Sequence, residues 1–495
     1  MLGLLWMGWP LGAAWAQGPG PVDTVRSTAP LIAGPQPLNP ALLGLGVPGS
    51  APVAIPSDTL PCPDCNPPKR FWMAAADLML VQLLPWSLNY FISDQQWAKI
   101  GLQTWRNNLA YPWVWDDNSF EINQFRHPAQ GAAYFNSART NGYNFWASSA
   151  WPVVGSLMWE YFVEAYPPAP NDFVNTAVGG VVLGETLYRL SRLALDNTAT
   201  GAERTFREIG SALLNPIGGF NRLVRGETGR ISANPPEWRP RAILGVLDVG
   251  YRRTVQSIGS GSIETGDNQW NASFLLSYGD PTKDLARSPF SYFVFRADLA
   301  GPSDQSLLNQ LSARGSLAAW SLDARGRNQV ALSLEYDYFD NPAFMYGGQS
   351  VQIGLVSAIG TPGKKWWGQT QALFNGVLLG AVRSDYFKST GARNYDYGPG
   401  AGTILSGRIL YKNEFQLTAG FTGLYLHSID GTDAAHYQDA LTVEARYWAT
   451  RKIGVGLSYT GYTRNSDYSE LPDVAQSARF VRFFVSKALP GLPLP

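Results

Sequence analysis

The chain has 495 residues, enough for two or three ordinary domains or for one domain beside a large barrel. Lysine plus arginine equals aspartate plus glutamate at 38 each, so there is no basic excess to hold a phosphate backbone, which argues against nucleic acid as a partner. Charged residues are only 15% and aromatics 13%, with a mean hydropathy of -0.12; that is too low for a protein made of membrane helices but normal for a barrel whose every second residue faces a polar lumen.

Residues 1–16 are apolar and end in Ala14-Trp15-Ala16, a small-x-small pattern that reads as a signal peptide, although no Lys or Arg precedes the apolar stretch. Residues 17–69 hold thirteen prolines and little charge, which cannot bury a core; they are expected to form a disordered tether, with order beginning near Lys69. Cys62 and Cys65 are the two cysteines, spaced C-x-x-C among prolines. With no further ligands nearby, a local disulfide in an oxidising compartment is favoured over a redox pair or half a metal site.

A helical module is expected over 70–240. Phe71 to Ile92 is mostly apolar and long enough to span a bilayer, but Asp77, Gln82, Pro85 and Asn89 interrupt it. A buried or plug-like helix is the favoured reading. Pro128 suits the first turn of a helix running to Arg139. Trp151 to Tyr166 is apolar nearly all round and ends at Pro167-Pro168. Asn171 or Asp172 can cap a further helix reaching Leu195, which should pack antiparallel to its predecessor. Gly180 and Gly184 would let another helix approach closely.

From about Ala242 the apolar period changes to two. From Gln329 to Tyr338, Val330, Leu332, Leu334, Tyr336 and Tyr338 alternate with Gln329, Ala331, Ser333, Glu335 and Asp337, so one face is apolar and the other polar. Twelve such strands are expected, near 242–252, 268–279, 290–300, 307–323, 327–339, 347–360, 366–381, 396–411, 413–428, 437–450, 452–464 and 477–489. The fold class is therefore α+β: a helical module followed by an antiparallel transmembrane β-barrel over 241–489, with a tail at 490–495. The place is the bacterial outer membrane, with its lipid as a partner. A soluble sandwich with its apolar face against a second sheet is the bland alternative.

Chemistry-bearing residues concentrate in the helical module. Glu160 and Glu164 sit four apart among apolar neighbours, and like charges there should raise a carboxyl pKa unless a cation intervenes. Glu185 continues an apolar stripe. Arg139 or Arg189 pairing with these carboxylates is the structural explanation, with Asp172 as a cap. A divalent metal held by Glu160, Glu164 and Glu185 is a second, though no cofactor is otherwise indicated. A glutamate acid–base pair assisted by His127 is the third. His127 equally fits a capping role, and His427 and His436 are expected on the surface. No G-x-S-x-G, H-E-x-x-H or Walker loop occurs, which removes several enzyme classes.

The run Asn118-Ser119-Phe120, Asn123, His127-Pro128, Gly131, Tyr134-Phe135 and Ala138-Arg139 resembles an uncharacterised bacterial outer-membrane family. Trp159-Glu160-Tyr161, Glu164, Asn171-Asp172, Gly179-Gly180, Gly184-Glu185 and Tyr188-Arg189 extend the resemblance through about 118–195. It implies a helical module joined to a C-terminal barrel and carries no established activity. Three roles follow as expectations: binding or transport of a small molecule with the helices as a plug or periplasmic module; an enzyme modifying envelope lipid or glycan through His127, Glu160 and Glu164, with Arg139, Asp172, Asn175, Glu185 and Arg189 as the surrounding network; or a structural envelope protein.

Overall fold

The computed structural model describes residues 60–258, 262–263, 267–301, 307–341, 344–360, 364–389 and 391–489. The expected signal peptide, most of the tether and the tail lie outside these residues. The chain is already docked before Lys69: Cys62 and Cys65 are disulfide-bonded, the Ala233 amide donates to the Pro61 carbonyl, and Asn197 donates to Asp64.

The second half is a closed antiparallel barrel of twelve long strands. They are β1 (Ile243–Ile258), β3 (Asp267–Tyr278), β4 (Phe293–Gly301), β5 (Leu308–Ser321), β6 (Asn328–Asn341), β7 (Phe344–Gly360), β8 (Trp366–Arg383), β9 (Tyr395–Tyr411), β10 (Phe415–His427), β11 (Ala434–Trp448), β12 (Ile453–Tyr468) and β13 (Val474–Ala488), with a two-residue β2 (Ser262–Ile263) paired antiparallel to the end of β1. Closure runs from Val246↔Ala488 to Ile258↔Gln476, so no edge is left unpaired. The even count brings the chain into and out of the barrel at one end, here the terminal rim; the other end is the far rim. Loops expected at 429–436 and 465–476 are shorter than their polarity suggested, because β11 begins at Ala434 and β12 continues to Tyr468.

The lumen is polar and bridged. Arg446 donates to Asp248 at 2.9 Å, Arg252 to Asn309 at 2.7 Å, Arg482 to Asn271 at 3.1 Å and Arg314 to Gln371 at 3.0 Å, each between strands that are not ladder neighbours. All of these but Arg446 and Asp248 border a cavity of about 470 Å³ that no helical residue lines. The opposite face of β10–β13 is apolar and bare: Leu441, Val443, Val455, Leu457, Phe483 and Val485 are all exposed. A closed barrel with a polar interior and a bare apolar exterior is an outer-membrane protein, and the bacterial outer membrane is its location.

The helices are α1 (Phe71–Phe91), α2 (Leu102–Ala110), α3 (His127–Arg139), α4 (Phe145–Met158), α5 (Pro170–Val174), α6 (Gly180–Ala194), α7 (Gly201–Leu214) and α8 (Pro216–Val224). Three π-helical turns adjoin them, at Ile122–Arg126, Trp159–Val163 and Asn175–Gly179. α3 and α6 cross tightly at glycine: a Cβ on Gly131 would lie 1.9 Å from the Thr176 carbonyl oxygen, and one on Gly180 would lie 2.5 Å from the Gly131 carbonyl carbon.

The position of this module corrects two expectations. The helices are neither a plug in the lumen nor a body beneath the barrel; they pack on the outer wall. On β3, Asn271 and Leu275 line the lumen, while Leu276 and Tyr278 join the helix core. On β4, Val294, Arg296 and Asp298 face inward, whereas Phe293 and Phe295 meet the helices. On β6, Glu335 and Asp337 line the lumen, whereas Tyr336 and Tyr338 meet the helices. Because strand side chains alternate, the two sets are on opposite faces.

The packing runs from rim to rim. Near the terminal rim Phe145 meets Phe290, and Arg189 donates to the Pro289 carbonyl at 2.8 Å. Near the far rim Asn123 donates to the Tyr395 hydroxyl at 2.9 Å. The four register shifts in the described ladders all fall between β4 and β9, on this covered side, where bulges re-aim side chains.

Candidate functional site

The site is built where the helices reach the far rim. Strands such as β8, with 18 residues, exceed the roughly 9–11 needed to cross a bilayer, so their ends stand clear of the hydrocarbon. Tyr395 and Tyr397 are the first and third residues of β9 and point outward. The Tyr395 hydroxyl donates to the Asn118 carbonyl, and the Tyr397 hydroxyl accepts from Gln124 at 3.1 Å and from Asn171 at 3.4 Å. Arg393 stacks near Tyr397 and pairs with Asp430. These contacts fix the segment from Trp115 to His127, whose indole stacks on Tyr397 through Trp115.

His127, Glu160, Glu164 and Asp172 lie near enough to one another here that each feels the charge of Asp116. The His127 ring lies between Asp172, at 3.6 Å from Nε2, and Thr176, at 3.4 Å from Nδ1. Glu160 accepts from the Ala169 amide at 2.9 Å, and Glu164 accepts from the Trp159 indole at 3.0 Å. Asn171 donates to Asp172 at 2.7 Å and accepts from the Asp116 amide. Asn175 is fully buried in the same stretch, with neither amide atom hydrogen-bonded. Asn108 of α2 holds the Glu160 and Glu164 carbonyls, locking the turn that presents them.

Every helical segment that brings a charged group here is a π turn or adjoins one. Ile122–Arg126 precedes His127, Trp159–Val163 contains Glu160, and Asn175–Gly179 follows Asp172. Such turns leave the α-helical ladder locally broken and recur at functional sites. The turn at 159–163 also ends the helix, so Glu164 is extended rather than one turn above Glu160 on a shared face.

The electrostatics are those of desolvated acids. Burial raises the carboxyl pKa of Glu160, and the charge of Glu164 raises it further. Burial lifts Glu164 to about 8, with Asp116 adding to the shift, and burial raises Asp172 well above the usual range. Burial lowers His127 to about 4, so its imidazole is neutral near pH 7. Among the described residues no Lys or Arg lies within ion-pair distance of Glu160, Glu164 or Asp172. Nor do any three His, Cys, Asp or Glu among them form a metal-binding group.

The expected residues therefore separate into two groups. Glu185 leaves the site: it is fully buried near the terminal end, paired with Arg139 at 2.8 Å and Arg189 at 2.8 Å. The structural explanation fits that trio and not the two glutamates. Asp172 is no cap, since the helix starts from Ala169 without a side-chain bond, and it turns to His127 instead. His127 caps nothing, because the π turn runs straight into α3.

His436 departs from expectation. It is fully buried inside the barrel, between Ser466 at 2.8 Å and Asp396 at 3.2 Å, while His427 is exposed as expected. Sequence reading missed Asp116, Thr176, Tyr395 and Tyr397. The one available signal was the pair of tyrosines at the start of a strand, polar tips on an otherwise apolar face.

A closed barrel with a helical layer on its outer wall defines the class: an outer-membrane protein with an attached acid-rich helical site. Residues 112–217, the stretch holding this site, match the family described as a domain of unknown function, DUF3943. No curated protein matches the chain. Among solved structures it is similar to the NanC porin, at 12% identity over 49% of this chain and 98% of that one, with a TM-score of 0.27. Omp33 of Acinetobacter baumannii is 9% identical over 49% and 98%, with a TM-score of 0.22. The toluene transporter TodX of Pseudomonas putida is 8% identical over 51% and 90%, with a TM-score of 0.22.

The titrations set a sign for stability against pH. A carboxyl raised to about 8 keeps its proton in the folded state where the unfolded chain has lost it. Its contribution is complete below the ordinary 4.5 and disappears as pH rises through about 8. His127 works the other way, but only below its ordinary 6.5. Between pH 6.5 and 9 the carboxyl groups act alone, so the helical unfolding temperature, followed by circular dichroism, should fall. In Glu164→Gln the fall should be shallower; an unchanged slope would contradict the assignment.

Proposed function

We propose that the protein handles protons on an envelope component at the far-rim site of its helical module, an enzyme acting on outer-membrane lipid or glycan. One observation supports this above the others: Glu160, Glu164, Asp172 and neutral His127 converge without a cationic partner. Such a set offers acids that still hold protons and an unprotonated ring nitrogen at the same pH, the combination that general acid–base chemistry requires. Purely structural carboxylates in this protein look different, as Glu185 between two arginines does. Glu160 or Glu164 is the proton donor in this reading and His127 the acceptor. Asp172 and Asn171 orient the ring, and Asn175 supplies unpaired amide atoms to a bound group.

A second reading, passage or binding of a small polar solute, draws on the lumen, where the 470 Å³ cavity is lined by charged and amide groups and by no helix. The two separate by experiment. Glu160→Gln and Glu164→Gln should leave heat-modifiable gel mobility unchanged while altering the extracted lipid or glycan profile of the envelope. An unaltered profile in both variants counts against the enzyme. For the lumen, reconstituted full-length protein should conduct in planar bilayers, and Arg314→Ala should raise the conductance by removing a bridge to Gln371. A silent bilayer would set the solute reading aside.

A further inference from the structure

We infer that the helical module is immersed in the outer membrane, its outward face covered by lipid acyl chains and continuous with the barrel's own apolar belt. The starting point is α1. It is the one described helix long and apolar enough to cross a membrane, yet only 33% of its apolar window is buried. Its 21 residues give roughly 31 Å at the usual helical rise, against about 30 Å of hydrocarbon. Trp72, Leu80, Leu83 and Leu84 are exposed on it, and Val153 and Val154 are exposed on neighbouring α4.

The polar residues that argued against a span are turned inward. Asp77 is 2% exposed and accepts from Asn141 at 2.7 Å and Asn221 at 2.6 Å. Gln82 is fully buried, donating to the Gly155 carbonyl and accepting from Tyr134. An ionisable group within a membrane helix behaves this way: it faces the bundle and finds partners there.

Depth then follows from the barrel. Helices touching both rims of the outer wall share the level of the bare residues on β10–β13, such as Leu441 and Val455. Those residues belong to a closed barrel and must meet lipid. A lipid layer that covers them has no boundary at which to stop before reaching α1 and α4. The occupant is therefore the acyl chains already required by the barrel, rather than a second copy. A span here is compatible with an outer-membrane barrel because the helix crosses beside it.

The test uses the full-length protein in vesicles, with one thiol-linked fluorophore per variant; Cys62 and Cys65 are bonded to each other and do not label. Leu83→Cys and Val154→Cys are compared with Val455→Cys on the lipid face and Thr442→Cys in the lumen. Brominated acyl chains should quench the two helix labels as strongly as the Val455→Cys label, within about twofold, while aqueous iodide quenches only Thr442→Cys. Iodide quenching of the helix labels would place them in water and overturn the inference. Quenching by neither agent would mean protein covers them, and would overturn it equally. The outcome does not depend on the proposed chemistry, since labels can sit in lipid whether or not Glu160 and Glu164 variants alter the envelope.

Discussion

The structure depends on one constraint: a tyrosine hydroxyl buried between the barrel's outer wall and the helical layer must find a hydrogen-bond partner there. Leaving a buried polar group unpaired costs a few kcal/mol. Tyr336, Tyr395 and Tyr397 all project from the outer wall, and helix groups satisfy all three. Tyr336 donates to the Gln124 carbonyl at 2.6 Å, Tyr395 to that of Asn118, and Tyr397 accepts from Gln124 and Asn171. This stretch of wall is made for a polar protein layer. The wall of β10–β13, with Leu441, Val443 and Val455, is made for lipid.

The candidate site is a consequence of that join. The far-rim tyrosines anchor the segment leading into α3, which places His127 against Asp172. The glutamates arrive from α4 through a π turn whose carbonyls Asn108 holds. Burial then does the electrostatic work, pushing the acids up and the imidazole down. The terminal end of the same bundle shows the contrasting solution: Glu185 is equally buried but sits between Arg139 and Arg189, an ion-paired trio that ties α3 to α6.

Much of this was legible in the residues. The two-residue period at 329–338 and 453–459 gives strands in the right places, and the Pro, Gly and apolar punctuation gives the helices from 127 to 195. The close crossing expected at Gly180 is there, against Gly131. What alternation could not say is what covers an apolar face. Tyr336 and Leu441 occupy equivalent positions in the pattern, yet one meets a helix and the other lies bare. The same limit hid the partners of single polar residues. His127 and Asp172 are 45 positions apart, and His436 on β11 finds Asp396 on β9, two strands along the wall. The interrupted pattern of α1 was misleading for a related reason: Asp77 and Gln82 look like breaks in a span until their partners on α3, α4 and α8 are known.

The most direct measurement of where the helices lie is disulfide trapping at the wall. Gly347 and Gly348 are adjacent on β7 and face opposite ways, and a Cβ on Gly347 would come within 2.8 Å of the Gln124 Cβ. With Gln124→Cys on the helix side, Gly347→Cys should crosslink in intact cells and Gly348→Cys should not. Crosslinking through Gly348→Cys instead would put the helices inside the lumen and contradict the account.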